Sequence, residues 1–162
     1  MKTPYKILLC VLIIGMFFLI VIGLNFKPIH LHLCQENPFI YDKTGHFNLE
    51  NDIKTQDTGI VIQTDDLYLD LMGHSIIGSG SKSSTESGIY WSNCKNITIK
   101  NGSISNFMYG INADDSGYGK ENTSFLQNAD IKISNISMDN NTFRGICIGG
   151  NNISIHNCSI SN

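Results

Sequence analysis

The chain has 162 residues, a net charge of −3 and only 15% charged residues. That length holds one domain with accessories, and the weak acidic balance excludes nucleic acid as a partner, which calls for a basic patch to neutralise phosphates. With 41% hydrophobic residues the chain supplies a core, which excludes a largely disordered protein, and 15 glycines among many Asn and Ser announce frequent turns.

Residues 1–6 form a short N-terminal tip with Lys2 and Lys6, followed by an unbroken apolar run over 7–24, ILLCVLIIGMFFLIVIGL. As a helix those residues span about 27 Å, close to the hydrocarbon thickness of a bilayer. The rival is a cleavable signal peptide, whose apolar region is shorter and precedes a small-x-small site. Gly23-Leu24-Asn25-Phe26 offers no such site, and His32 and Leu33 before Cys34 do not form a lipoprotein box. The expectation is therefore a signal-anchor with the rest of the chain extracytoplasmic, since more positive charge precedes the span than follows it. Were the segment cleaved, the product would be secreted. Residues 25–44, with Pro28, Pro38, His30 and His32 and no period, are expected as a linker.

From residue 45 the chain repeats. Leu67-Tyr-Leu-Asp-Leu71, Ile97-Thr-Ile-Lys-Asn101, Ile131-Lys-Ile-Ser-Asn135 and Ile153-Ser-Ile-His-Asn157 superimpose, with starts 30, 34 and 22 residues apart. Each alternates apolar and polar side chains, the period of a strand with one buried face. A second marker, Gly-Ile, interleaves with the first at Gly59-Ile60, Gly88-Ile89, Gly110-Ile111 and Gly145-Ile146. A unit this short cannot bury its own apolar face, so copies must stack. Stacking predicts three inner columns: Leu67, Ile97, Ile131, Ile153; then Leu69, Ile99, Ile133, Ile155; then Ile76, Ile104, Met138, Ile160. The fold class expected is all-β: a right-handed parallel β-helix of about four coils over 45–162, behind one transmembrane helix.

Asn101, Asn135 and Asn157 fall in one column and Asn106, Asn140 and Asn162 in another. Asn tolerates left-handed backbone angles, and its amide reaches turn groups and stacked neighbours, so these read as structural Asn ladders. Seven Asn-x-Ser/Thr triplets occur, at Asn96, Asn101, Asn122, Asn135, Asn140, Asn152 and Asn157. The ladder column is expected to be internal, which leaves Asn122 as the exposed acceptor if the host glycosylates.

The run Gly45-His-Phe-Asn-Leu-Glu-Asn-Asp-Ile53, with Asp66-Leu-Tyr-Leu-Asp-Leu-Met-Gly-His-Ser-Ile-Ile-Gly78, Asn96-Ile-Thr-Ile-Lys-Asn-Gly-Ser-Ile104 and Gly110-Ile111, resembles right-handed β-helix repeat proteins of the pectin-lyase-like superfamily. The resemblance implies the fold over roughly 115 residues. It says little of activity, because that superfamily includes lyases, hydrolases, epimerases, tailspikes and proteins without known activity. The hydrolase pattern of such folds is incomplete here: Gly73-His74 is followed by Ser75, no Arg-Ile-Lys occurs, and Asp65-Asp66 and Asp114-Asp115 lack their companions. An Asp-Pro-His-Asp motif is missing, and the chain holds one arginine, Arg144.

Two insertions, about 79–87 and about 113–124, flank the Gly-Ile strands and are expected to wall a groove. Alternation places Val61, Tyr90, Asn112 and Cys147 on its floor, Tyr109 and Arg144 at its edge, and Asp114 and Asp115 in a wall. Tyr90, Tyr109, Asn112 and Arg144 are the candidate binding residues, since aromatic faces beside polar groups suit a polysaccharide. Asp114, Asp115 and Arg144 are the candidate acid and base of an alternative lyase or hydrolase acting on uronic-acid polymers. No metal and no cofactor is expected for a binder; Ca²⁺ would enter only with lyase chemistry. Asp70 and Lys100 are expected as a weak surface ion pair, and His74 and His156 as turn and surface residues. Cys94, Cys147 and Cys158 read as small apolar residues or free thiols, with one disulfide left open. The repeat breaks off at Asn162 with no cap, so the expectation is either a truncated relative of a longer protein or a partner chain over the open C-terminal coil.

Overall fold

The computed structural model describes residues 38–80, 86–113 and 128–161. The apolar segment 7–24, most of the stretch 25–44, Asp114, Asp115, Asn122 and Asn162 lie outside the described residues. Among those described, no helix is long and apolar enough to cross a membrane.

Thirteen strands are formed in the described residues, all in parallel sheets. β1 (Phe39–Tyr41), β4 (Ile60–Ile62), β7 (Ser87–Trp91), β9 (Tyr109–Ala113) and β11 (Arg144–Ile148) stack in that order as a five-stranded sheet. β2 (Gly45–Asn48), β5 (Leu67–Asp70), β8 (Ile97–Ser105), β10 (Ala129–Asp139) and β12 (Asn151–His156) make the spine of the second sheet. β3 (Ile53–Lys54), β6 (Ser75–Ile77) and β13 (Ser159–Ser161) attach to it, β3 on β6, β6 on β8 and β13 on β10. Each strand's sheet neighbour belongs to the next repeat, the arrangement of a parallel β-solenoid.

The register aligns the residues that the repeat aligns. Leu69 faces Ile99, Ile99 faces Ile133, and Ile133 faces Ile155. Ile76, Ile104, Met138 and Ile160 pair in turn, as do Ile60, Ile89, Ile111 and Ile146. Inward residues of both sheets form one core in which Ile60, Ile89, Leu69, Ile99, Ile104, Ile111 and Ile133 are fully buried. Each such isoleucine removed from water contributes roughly 1.5–3 kcal/mol, which drives stacking of units that cannot fold singly.

The Gly of each Gly-Ile pair has a steric cause. A Cβ on Gly88 would stand 2.6 Å from the Gly110 carbonyl oxygen, and one on Gly110 would stand 2.5 Å from that of Gly145. The chain enters the smaller sheet at a corner where successive layers touch backbone to backbone.

Four expectations need correction. The smaller sheet begins at Phe39, inside the stretch 25–44 expected as a linker. β1 is held there by Phe39 N–H donating to Gly59 O and Gln63 N–H to Tyr41 O, with the Tyr41 ring 4.8 Å from that of Phe47. Three residues between Pro38 and Asp42 are too few to show a period. Five layers therefore stack where about four coils were expected. The Asn column is not internal: Asn101 is half-buried, and Asn135 and Asn157 are exposed at a corner. Asp70, expected at the surface, is only 7% exposed.

The Asn column does carry the conformation expected of it. Asn101, Asn135 and Asn157 have φ of 59°, 56° and 49°, and Asn106 and Asn140 have 63° and 52°. The Asn135 amide donates to Asn101 Oδ1 at 3.0 Å, and Asn101 donates to both Asp70 oxygens at 3.0 and 3.1 Å. The left-handed residue bends the chain where it passes from one buried row to the next.

Candidate functional site

The Gly-Ile strands alternate, so Ile60, Ile89 and Ile111 point inward and the next residue points outward. Val61 pairs with Tyr90, Tyr90 with Asn112, and Asn112 with Cys147, so the four residues expected on one floor form one outward column. Tyr109 pairs with Arg144 beside it. Arg144 Nη1 donates to Cys147 Sγ at 3.0 Å, and its guanidinium lies 4.9 Å from the centre of the Phe143 ring. That ring meets Tyr109 edge-on at 5.4 Å. The sheet thus brings Tyr90, Tyr109, Asn112 and Arg144 onto three adjacent strands. The wall residues Asp114 and Asp115 lie outside the described residues.

Among the described residues a concavity lies at the other end of these strands. A cleft of about 460 Å³ opens over Val61 and Tyr90, with Gln63, Asp65, Ser92 and Asn93 around it. Its corner is held tightly. Asp65 Oδ1 accepts from the Lys95 backbone N–H at 2.8 Å, and Asn93 and Asn96 both have φ of 54°. Cys94 backs the cleft with its N–H donated to Asn128 Oδ1 at 3.0 Å, and its Sγ lies 3.4 Å from Ser92 O. Burial first, and the Asp65 charge second, push the Cys94 thiol above its ordinary pKa, so it is not an activated nucleophile.

Asn128 was not singled out by sequence reasoning, yet it is fully buried and joins three layers. Besides serving Cys94, its amide donates to Ala113 O at 2.7 Å and Gly149 O at 3.0 Å. The signal was available: Asn128 precedes Ile131 by the three residues that separate Cys94 from Ile97. A second missed device is the column Asp66, Asn96, Asp130, Asn152, directly before each apolar strand, with φ between 53° and 57°. Asn96 donates to Asp66 Oδ1 at 2.8 Å, and Asn152 donates to Asp130. The sequon residues Asn96, Asn135 and Asn152 are thus exposed, with their amides engaged by the layer before.

The remaining polar groups are explained by packing. Asp70 takes Met72 N–H at 2.9 Å, the Asn101 amide and the Lys100 ammonium at 3.2 Å. Burial raises its pKa, but the Met72, Asn101 and Lys100 contacts outweigh it and hold the carboxyl below the usual range. His74 is not a bare turn residue: its Nδ1 lies 3.2 Å from Asp52 Oδ1, which also accepts from Ser75 N–H at 2.9 Å. His156 Nε2 lies 2.7 Å from Ser154 Oγ. Cys94, Cys147 and Cys158 are free thiols. Among the described residues no three His, Cys, Asp or Glu gather closely enough to hold a metal ion.

Compared with family models, curated proteins and solved structures, the chain matches none of them.

Proposed function

We propose that the chain is a right-handed parallel β-helix of the pectin-lyase-like kind, anchored by its N-terminal segment on the outer face of a membrane, that binds carbohydrate without transforming it. The observation that carries the binding reading is the cleft over Tyr90 and Val61, on the sheet whose outward column continues through Asn112 to the Tyr109–Arg144 pair. An apolar floor with amides, hydroxyls and a carboxylate around it is the make-up of a saccharide site, because a sugar ring offers C–H faces to an aromatic and hydroxyls to hydrogen-bonding groups. The volume lies within the range of ordinary ligand clefts, ~300–1,000 Å³.

Catalysis is the weaker reading. Arg144, the base it would need, is engaged with Cys147 Sγ and stacked on Phe143. Cys94, the thiol at the cleft, is held protonated.

The C-terminal layer offers a second contact, for one more parallel strand from this chain or another. Ile155 is 44% exposed and Ile160 54%, in columns whose previous members are fully buried. From Asn151 to Ser161 there is no Asp, Glu, Lys or Arg to repel an added strand.

A glycan array probed with the full chain in detergent micelles tests the carbohydrate reading. Retention on glycans that Tyr90→Ala abolishes, without product release, is the expected result. Turnover of any glycan, seen as new reducing ends or unsaturated uronates, would overturn the non-catalytic reading.

A further inference from the structure

We infer that Asp57 and Glu86 hold a hard divalent cation between them, which clasps two successive layers together at the entrance to the smaller sheet. The clasp is independent of carbohydrate binding.

The two carboxylates share one column. Asp57 stands three residues before Ile60 and Glu86 three before Ile89, and those isoleucines are register partners on β4 and β7. Gly59 N–H donates to Ser87 O at 2.9 Å and Ser87 N–H to Thr58 Oγ1 at 3.4 Å, so the alignment continues back to the residues beside the two acids. Neighbouring parallel strands lie about 4.8 Å apart, which stacks one acid on the other. Both are held in place. Asp57 N–H donates to Thr55 Oγ1 at 3.1 Å, and Glu86 O accepts the Tyr109 N–H at 3.2 Å. Like charges directly opposite in adjacent layers are destabilising unless something neutralises them.

Glu86 also lacks a hydrogen-bond donor where it needs one. It is only 7% exposed, and its Oε2 is buried with no hydrogen-bond partner. A buried carboxylate oxygen in that state is costly, and an ion beside it removes the cost. Burial first, and the Asp57 charge second, push the Glu86 carboxyl above its usual range, as befits an acid short of positive charge. Asp57 is exposed, so an ion reaches the pair from solvent and keeps part of its water.

The donors select the kind of ion. Carboxylates are hard oxygen ligands, which suit Ca²⁺ or Mg²⁺ rather than metals that prefer nitrogen or sulfur. Among the described residues no third Asp, Glu, His or Cys joins the pair, so water completes the shell. Two carboxylates are a low ligand charge, which puts the Kd on the order of 10⁻⁴–10⁻³ M.

Thermal melts of the full chain in a neutral detergent test the clasp, first with EDTA and then with CaCl₂ or MgCl₂ at about 10 mM, ten times the weaker Kd. The midpoint is expected to rise by roughly 3–6 °C with at least one of the two salts, and not with NaCl of equal ionic strength. Asp57→Asn changes an exposed residue, so it should fold as the parent does and lose most of the rise. Glu86→Gln should lose it as well. A rise that Asp57→Asn keeps in full would place the ion elsewhere and overturn the inference. Equal midpoints in EDTA, CaCl₂ and MgCl₂ would also overturn it, and would leave a proton as the partner of Glu86.

Discussion

The fourth and fifth layers carry nearly the same residues in the same columns, but not the same burial. Ile133 is fully buried and Ile155, its register partner, is 44% exposed; Met138 is fully buried and Ile160, facing it, is 54% exposed. The strands are alike in sequence, so the difference comes from what lies on each side. β10 is flanked by β8 and by β12 with β13, whereas β12 and β13 have a described neighbour on one side alone. In a solenoid, burial belongs to the stack and not to the repeat.

That contrast can be broken by experiment, and the largest effect should come from the columns themselves. Ile133→Ala should cost about 2–5 kcal/mol in chemical denaturation of the full chain, and Ile155→Ala under about 1 kcal/mol, because only the first leaves a closed cavity. Equal costs would mean that the last layer is covered in solution. The corner glycines should follow the same order. A Cβ on Gly88 would lie 2.2 Å from Ile104 Cγ2 and 2.6 Å from the Gly110 carbonyl, both in the packed interior. Gly88→Ala is expected to lose about 1–3 kcal/mol or more. On Gly145 the nearest atoms all belong to the side chain of the half-exposed Ile160, from 2.7 Å, which can turn aside. Gly145→Ala should be the milder of the two in thermal melts.

The Asn corner should show a smaller contrast. Asn101→Ala and Asn157→Ala both place alanine in left-handed backbone, costing roughly 1–2 kcal/mol each. Asn101 also loses its bonds to Asp70 and Asn135, so it should exceed Asn157 by about 1 kcal/mol. Equal melting points would show that the side-chain ladder contributes nothing.

The smallest effects are those of pH, and two buried carboxyls should act in opposite directions. Asp70 is held below its unfolded value, so its contribution is present above that value and is lost as the pH falls through the lowered one. Asp70→Asn should flatten the acid limb of a stability–pH curve. Glu86 is raised, first by burial and then by Asp57, and its Oε2 has no hydrogen-bond partner. Its contribution is full below the unfolded value and lost as the pH rises through the raised one. Glu86→Gln should therefore remove a decline that sets in as the pH rises above the ordinary carboxylate range, and an unchanged curve would count against that burial.

Much of the fold was legible in the residues. Apolar alternation in Ile97-Thr-Ile and its copies, and the Gly-Ile marker, set the columns and their register, because both patterns express local requirements of a half-buried strand and a crowded corner. β1 escaped notice because Phe39-Ile-Tyr41 is too short to show a period. At the candidate site, the column of Val61, Tyr90, Asn112 and Cys147 followed from alternation. The cleft did not, because Gln63, Asp65 and Asn93 are polar residues in turns with no pattern to mark them. Asn128 was readable only by aligning it with Cys94, a residue of different chemistry.

By itself the sequence determined which residues share a column and which must take left-handed backbone, since side-chain period and backbone sterics act within a few residues. The tertiary structure alone decided that the Asn column lies at an exposed corner, that Asp70 is buried, that Arg144 turns onto Cys147, and that the cleft opens at Tyr90. Each of these depends on groups brought together from separate turns of the chain or on which way a side chain folds over its neighbours. No local pattern encodes that.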